Sequence, residues 1–128
     1  MENVQLNTIA IIDDHSMFRQ AMSLRLTLLG YKVVLDAENG KDFLDQLPKL
    51  PAPPEVCLLD INMPVMDGFE TAAALKKNWP QIKIIFFSMH NSRSFISKAK
   101  QIGAEGFLSK DATVDELKKM LAAVLECK

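Results

Sequence analysis

Val56-Cys57-Leu58-Leu59 is an apolar run without polar alternation, and it climbs straight into Asp60 before breaking at Asn62-Met63-Pro64-Val65-Met66-Asp67-Gly68. A strand that does not alternate is covered on both faces, the condition of a parallel sheet packed between helices. Such sheets bind their ligands outside the carboxyl ends of the strands. Asp60 therefore stands where chemistry is expected. The rest of the chain is read by what each strand brings to that same edge.

Thr8 to Ile12 is a β-rich run ending in Asp13-Asp14, and Tyr31 to Leu35 is strand-like and leads into the turn Asp36-Ala37-Glu38-Asn39-Gly40. Ile82 to Phe87 ends at Ser88, and Gly106 to Ser109 ends at Lys110. Between these runs lie helical patterns. Met17, Ala21, Leu24 and Leu28, widened by Phe18, Met22 and Leu29, predict a first helix closed by Gly30. Phe43, Leu44 and Leu47 mark the inner side of a second over Lys41 to Leu47. Phe69, Ala72, Ala73 and Lys76 mark a third, closed by Trp79-Pro80. Phe95, Ile96, Ala99 and Ile102 mark a fourth, ended by Gly103. Thr113-Val114-Asp115-Glu116 reads as a capping box ahead of the stripe Val114, Leu117, Met120, Leu121, Val124 and Leu125. The prolines at 48, 51, 53 and 54 make a stiff surface loop before the Asp60 strand. Alternating strands and helices predict an α/β domain with a parallel sheet. Right-handed crossovers then bring every strand's carboxyl end to one edge.

The chain of 128 residues suits one domain with a real core. A net charge of -1 supplies no electrostatic footprint for nucleic acid, so DNA binding would need another domain. Cys57 and Cys127 are too few for a disulfide framework and read as reduced thiols of a cytosolic protein. No apolar run is long enough to span a bilayer. Met1 to Gln5 lacks the basic start of a signal peptide.

Carboxylates at Asp13, Asp14 and Asp60 converging on one edge would repel one another, and either protonation or a divalent cation relieves them. An all-oxygen donor set favours Mg²⁺ over Zn²⁺. With the ion held by one or two carboxylates, Asp60 is left as a nucleophile that can form an acyl phosphate. Mg²⁺, Lys110 and the Ser88 hydroxyl could each take one oxygen of a transferring phosphoryl group. His15 and His90 have no second nitrogen or sulfur ligand at metal spacing and read as solvent-edge residues. Met63, Met66 and Met89 read as loop packing.

Ile11-Ile12-Asp13-Asp14-His15, Leu58-Leu59-Asp60-Ile61-Asn62-Met63-Pro64-Val65-Met66-Asp67-Gly68, Ile85-Phe86-Phe87-Ser88 and Gly103-Ala104-Glu105-Gly106-Phe107-Leu108-Ser109-Lys110 together resemble the receiver domain of two-component response regulators, in the right order and over nearly the whole chain. The resemblance implies a flavodoxin-like, doubly wound sheet of five parallel strands in the order 2-1-3-4-5, with five helices. It implies that Asp60 accepts a phosphoryl group from a sensor histidine kinase. Mg²⁺ would be bound by Asp14, the Asp60 side chain and the Asn62 backbone carbonyl, with Asp13 helping directly or through water. Lys110 would contact the phosphoryl group, Ser88 would swing towards it, and Phe107 would turn inward as a switch. The change would be read on the face made by the fourth helix, fifth strand and fifth helix. Such a domain is a phosphoacceptor switch with slow self-dephosphorylation, not an enzyme with turnover.

Lys110 is followed by Asp111, where many receivers carry proline, so the cis peptide formed there is not expected here. Asp-Asp-His near the start and the Lys-Asp pair look most like the NarL/FixJ (LuxR-type) subgroup, whose members carry a C-terminal helix-turn-helix domain. The expectation is therefore one receiver over 1–128, acting in the cytoplasm, with DNA reached only through a domain outside this chain. Asp115, Lys118, Lys119 and Ala122 give the fifth helix a solvated face, which favours a phosphorylation-dependent homodimer over a permanent one. Two other readings have definite signatures. An aspartyl-nucleophile phosphatase wants an acid two residues after Asp60, where Asn62 stands. A silent receiver-like scaffold would lack acidic or lysine positions that are all present.

Overall fold

The computed structural model describes residues 7–89 and 92–126. Met1 to Gln5, His90 and Cys127 lie outside them. The elements run β1 (Thr8–Ile12), α1 (Ser16–Leu28), β2 (Lys32–Ala37), α2 (Gly40–Gln46), a single 3₁₀ turn (Leu47–Lys49), β3 (Val56–Asp60), α3 (Gly68–Asn78), β4 (Lys83–Ser88), α4 (Arg93–Ile102), β5 (Gly106–Ser109) and α5 (Val114–Glu126). All strand pairs are parallel, and the sheet order is β2-β1-β3-β4-β5, as the resemblance implied. No peptide bond among the described residues is cis, so Lys110-Asp111 is trans.

The unalternating strands do feed two cores. Ile9 and Ile11, Val56 and Leu58, and Ile85 and Phe87 pack with Met22 and Leu26 of α1 and Leu117, Leu121 and Val124 of α5. Their neighbours Ala10 and Ile12, Cys57 and Leu59, and Ile84 and Phe86 pack on the opposite face with Phe43, Phe69, Ala72, Leu75 and Ala99 from α2, α3 and α4. A fully buried leucine such as Leu26 contributes about 2 kcal/mol by leaving water.

Helix ends follow sequence chemistry. The capping box read at Thr113 is present: Glu116 N–H donates to Thr113 Oγ1 at 3.1 Å and Thr113 N–H to Glu116 Oε1 at 2.9 Å. A second one, Asp67 with Glu70, opens α3. Gly103 closes α4 in the left-handed region at φ +97°.

Three faces differ from the sequence reading. On α1, Met17, Leu24 and Leu28 are 82%, 61% and 77% exposed, whereas Met22 and Leu26 are buried. Apolar residues occupy two adjacent stripes of this helix, and periodicity alone does not choose between them. Packing of Met22 and Leu26 into the core beside α5 fixes the rotation, and the Arg19 guanidinium, which donates to the Asp13 carbonyl and lies 3.5 Å from Asp36 Oδ1, agrees with it. On α3, Ala73 is exposed and the inner side is completed by Thr71 and Leu75. The Thr71 hydroxyl is satisfied by donating to Asp67 O at 2.7 Å, which lets a polar residue go inside. Lys76 stops at half-burial, its ammonium 2.8 Å from Glu105 Oε2. On α5, Val114 is 45% exposed and belongs to the first turn rather than to the buried stripe.

Candidate functional site

The carboxyl ends of β1 and β3 and the loop after β5 meet at one cleft. Asp13 follows β1, its N–H donating to the Ala37 carbonyl of β2 at 3.0 Å, so its backbone continues the sheet. Asp60 is the last residue of β3 and is 6% exposed. Lys110 follows β5 and is tied to the end of β4 by its N–H to Ser88 O at 2.9 Å. Its ammonium lies 2.6 Å from Asp13 Oδ2 and 3.5 Å from Asp60 Oδ1.

The loop after β3 is held against the strand. Gly68 N–H donates to Ile61 O at 2.7 Å. A Cβ on Gly68 would lie 2.2 Å from Asp60 O, so only glycine lets α3 start so close. Within the loop, Met66 N–H donates to Pro64 O at 2.7 Å around Val65, whose φ is +70°. A β-branched residue in that conformation is strained.

Asp60 Oδ1 accepts the Ile61 N–H at 2.9 Å, and Oδ2 takes no hydrogen bond among the described residues. Burial and, next, the Asp13 carboxylate push the Asp60 carboxyl up to about 6, against the lowering influence of Lys110. One ammonium among Asp13, Asp14 and Asp60 leaves the cleft short of positive charge. Asp13 Oδ2 is buried, and its partner is the Lys110 ammonium at 2.6 Å. Oxygen donors of Asp13, Asp14 and Asp60 all lie within 4.8 Å of one another. Three crowded carboxylates facing a single ammonium fit a divalent cation.

The remaining predicted residues fall in different places. Ser88 is buried at the end of β4, next to Phe87, which pairs with Asp60. Asn62 is exposed in the loop after β3. Phe107 is half-buried in β5, opposite Phe86, with ring centroids 6.5 Å apart, and it borders a groove between α4 and α5 with Ile96, Leu108 and Glu116. Met89 is exposed and lines the mouth of the cleft with His15, Met17, Phe18 and Lys110, so it is not loop packing. Cys57 is fully buried, and burial raises its thiol well above the usual range, which makes it unreactive.

Two neighbours of the site were not assigned from sequence. The Phe18 ring centroid lies 4.6 Å from the Lys110 ammonium, a cation–π contact. The only sequence signal for it is its place in the first turn of α1, directly after Asp13-Asp14. His15 is exposed, as read, but its Nδ1 lies 3.3 Å from both Asp13 Oδ1 and Asp14 Oδ1.

Residues 9–122 match the family model described as the response regulator receiver domain. The chain is 33% identical over 119 residues to the transcriptional regulatory protein DegU of Brevibacillus brevis, covering 92% of this chain and 50% of that protein. It is 34% identical over 122 residues to the nitrate/nitrite response regulator protein NarL of Escherichia coli K12, covering 94% of this chain and 56% of that one. The chain thus spans about half the length of these curated relatives. Among solved structures, the signal receiver domain of NarL from Mycobacterium tuberculosis superposes with a TM-score of 0.88 at 31% identity, covering 98% of this chain and 100% of that one.

Proposed function

The chain belongs to the response regulator receiver domain family and is of the NarL/LuxR type, and from that premise we propose that Asp60 is the phosphoacceptor of a signalling switch. The observation that carries this reading is the setting of the Asp60 carboxylate. It ends a central strand, is nearly buried and has Lys110 at 3.5 Å from Oδ1. In the proposed step an Asp60 oxygen attacks the phosphorus of a phosphohistidine on a sensor histidine kinase. The P–N bond breaks, and its electron pair stays on the imidazole. Lys110 is close enough to meet one phosphoryl oxygen, and Ser88 stands beside it at the end of β4.

Phosphorylation and Mg²⁺ are general to this family. Here Asp13, Asp14 and Asp60 would hold Mg²⁺ with the Asn62 backbone carbonyl, and the ion would supply positive charge to the phosphoryl oxygens. Ser88 drawn towards the phosphoryl group would let Phe107 turn into the space behind it and alter the groove between α4 and α5. This change would favour a homodimer. DNA would be reached through a helix-turn-helix domain elsewhere in a longer cytoplasmic regulator, with 1–128 as its receiver. No helix among the described residues is long and apolar enough to cross a membrane. Met17 is exposed at the mouth of the cleft, and exposed Leu24 and Leu28 continue along α1 away from it, an apolar stripe on which a kinase would dock.

Intact-mass spectrometry after incubation with acetyl phosphate and Mg²⁺ tests this reading. One added phosphoryl group is expected, absent from Asp60→Asn and from a chelated sample. Stoichiometric labelling of Asp60→Asn would show that the acceptor lies elsewhere.

A further inference from the structure

The Lys110 side chain is a flexible four-carbon stem with a compact charge at its tip, and the stem alone does not decide where that charge sits. Three groups surround it. Asp13 Oδ2 lies 2.6 Å from the ammonium, Asp60 Oδ1 lies 3.5 Å from it, and the Phe18 ring centroid lies 4.6 Å from it. The lysine side chain is 6% exposed, so little water competes for its charge. The ring is the neutral partner of the three. Its quadrupole attracts an ammonium most strongly where water is excluded, and it does so without adding a further negative charge to a cleft that already gathers Asp13, Asp14 and Asp60. The ring is itself held. It meets Phe87 edge-on, with centroids 6.1 Å apart and planes at 66°. Phe87 is buried in β4 and is the register partner of Asp60. One line of support thus runs from the strand end that carries Asp60 through Phe87 and Phe18 to the ammonium.

We infer that Phe18 is a positioning residue, whose ring holds the Lys110 ammonium within reach of the oxygens of a phosphoryl group arriving at Asp60. The inference rests on Asp60 as the phosphoacceptor. An ammonium already in place needs no reorganisation when charge develops on the phosphoryl oxygens. A lysine free to change rotamer must be ordered again each time, at an entropic cost. Without the ring, Asp13 remains the nearest partner of the charge and draws it to the β1 side of the cleft. An aliphatic residue at position 18 still fills the space beside Phe87 but has no quadrupole, whereas an aromatic one keeps both. The π face at position 18, rather than its bulk, is therefore what sets the rate.

The test is a double-mutant cycle on the whole chain, labelled with acetyl phosphate and Mg²⁺ and followed by intact mass. In this step an Asp60 oxygen bonds to phosphorus, the P–O bond to the acetyl group breaks, and acetate leaves with the electron pair. Phe18→Leu is expected to slow labelling about tenfold, the rate equivalent of a desolvated cation–π contact, and Phe18→Tyr to stay within about twofold of wild type. In a Lys110→Met background no ammonium is left to place, so there Phe18→Leu is expected to change the rate by less than about twofold. The contact also has an NMR signature that needs no phosphodonor. The Lys110 ε-methylene protons, under the ring, are expected upfield of those of exposed lysines in wild type and Phe18→Tyr, and to lose that displacement in Phe18→Leu. An equal slowing in both backgrounds, a Phe18→Tyr chain as slow as Phe18→Leu, or Lys110 resonances that ignore the substitution would each overturn the inference. A labelled wild type with an unslowed Phe18→Leu would remove the role of Phe18 alone. A wild type that takes no phosphoryl group would remove the phosphoacceptor reading and this role with it.

Discussion

Asp60 is a carboxylate that the folded chain holds against its own electrostatics. Its carboxyl stands at about 6, raised by burial and by Asp13, above the usual carboxylate value near 4. A raised folded value means that the native state favours the protonated form. The resulting stabilisation is full below about pH 4 and is lost as pH rises through about 6. Metal-free wild-type protein is therefore expected to unfold at lower urea concentration at pH 7.5 than at pH 5. Asp60→Asn removes the repelled charge and is expected to stabilise the metal-free protein at pH 7.5 by up to about 3 kcal/mol, with little gain left near pH 4. Urea melts of both proteins across that range check the sign and the window. At this scale the placement of Asp13, Asp14, Asp60 and Lys110 at one edge, with Ser88 at the end of β4, was legible from strand ends alone, because a strand's carboxyl end is a fixed place in this architecture. His15 and Phe18 were not, because their contacts depend on how α1 is rotated and on side-chain directions that spacing does not encode.

Among the elements, α1 shows where periodicity stops. Its apolar residues form two neighbouring stripes, and packing against the sheet and α5 buries the Met22–Leu26 one. Leu26→Ala is expected to cost about 2–5 kcal/mol, as cavity-forming changes do. Leu24→Ser, on the exposed stripe, is expected to stay within about 0.5 kcal/mol. Chemical denaturation of the two variants separates the faces. The capping box at Thr113 could be read ahead of α5 because cap, acid and apolar run are contiguous. Its equivalent at Asp67 was hidden inside a loop whose Pro and Gly suggested only a break. That loop also carries Val65 at φ +70°. Val65→Gly is expected to raise stability by about 1 kcal/mol, relief of strain exceeding the entropy of glycine, and the midpoint of a thermal melt reads it. Val65→Ile, which keeps the strain, is the matched control.

For the molecule as a whole, one sheet divides two cores while a single edge collects the charge. The sheet order was legible through the family resemblance, whereas alternation of strands and helices by itself indicated only a parallel α/β fold. Stability and the edge are coupled through any cation that binds the folded cleft alone. At a hundred times its dissociation constant, Mg²⁺ is expected to add about 2.7 kcal/mol to wild-type stability. Asp13→Asn is expected to lose most of that increment, as calorimetric melts with and without chelator would register. The rim of the cleft has a consequence for watching the protein at work. Met17 and Met89, 82% and 63% exposed, flank Lys110 as thioethers open to solvent. Thioethers oxidise according to access, so dilute peroxide would mark both in the free chain and spare the buried Met22 as an internal standard. A protein that seats itself over Asp60 would protect this pair while leaving the rest of the molecule untouched, so the acidic edge carries its own footprinting reporters without any label being introduced.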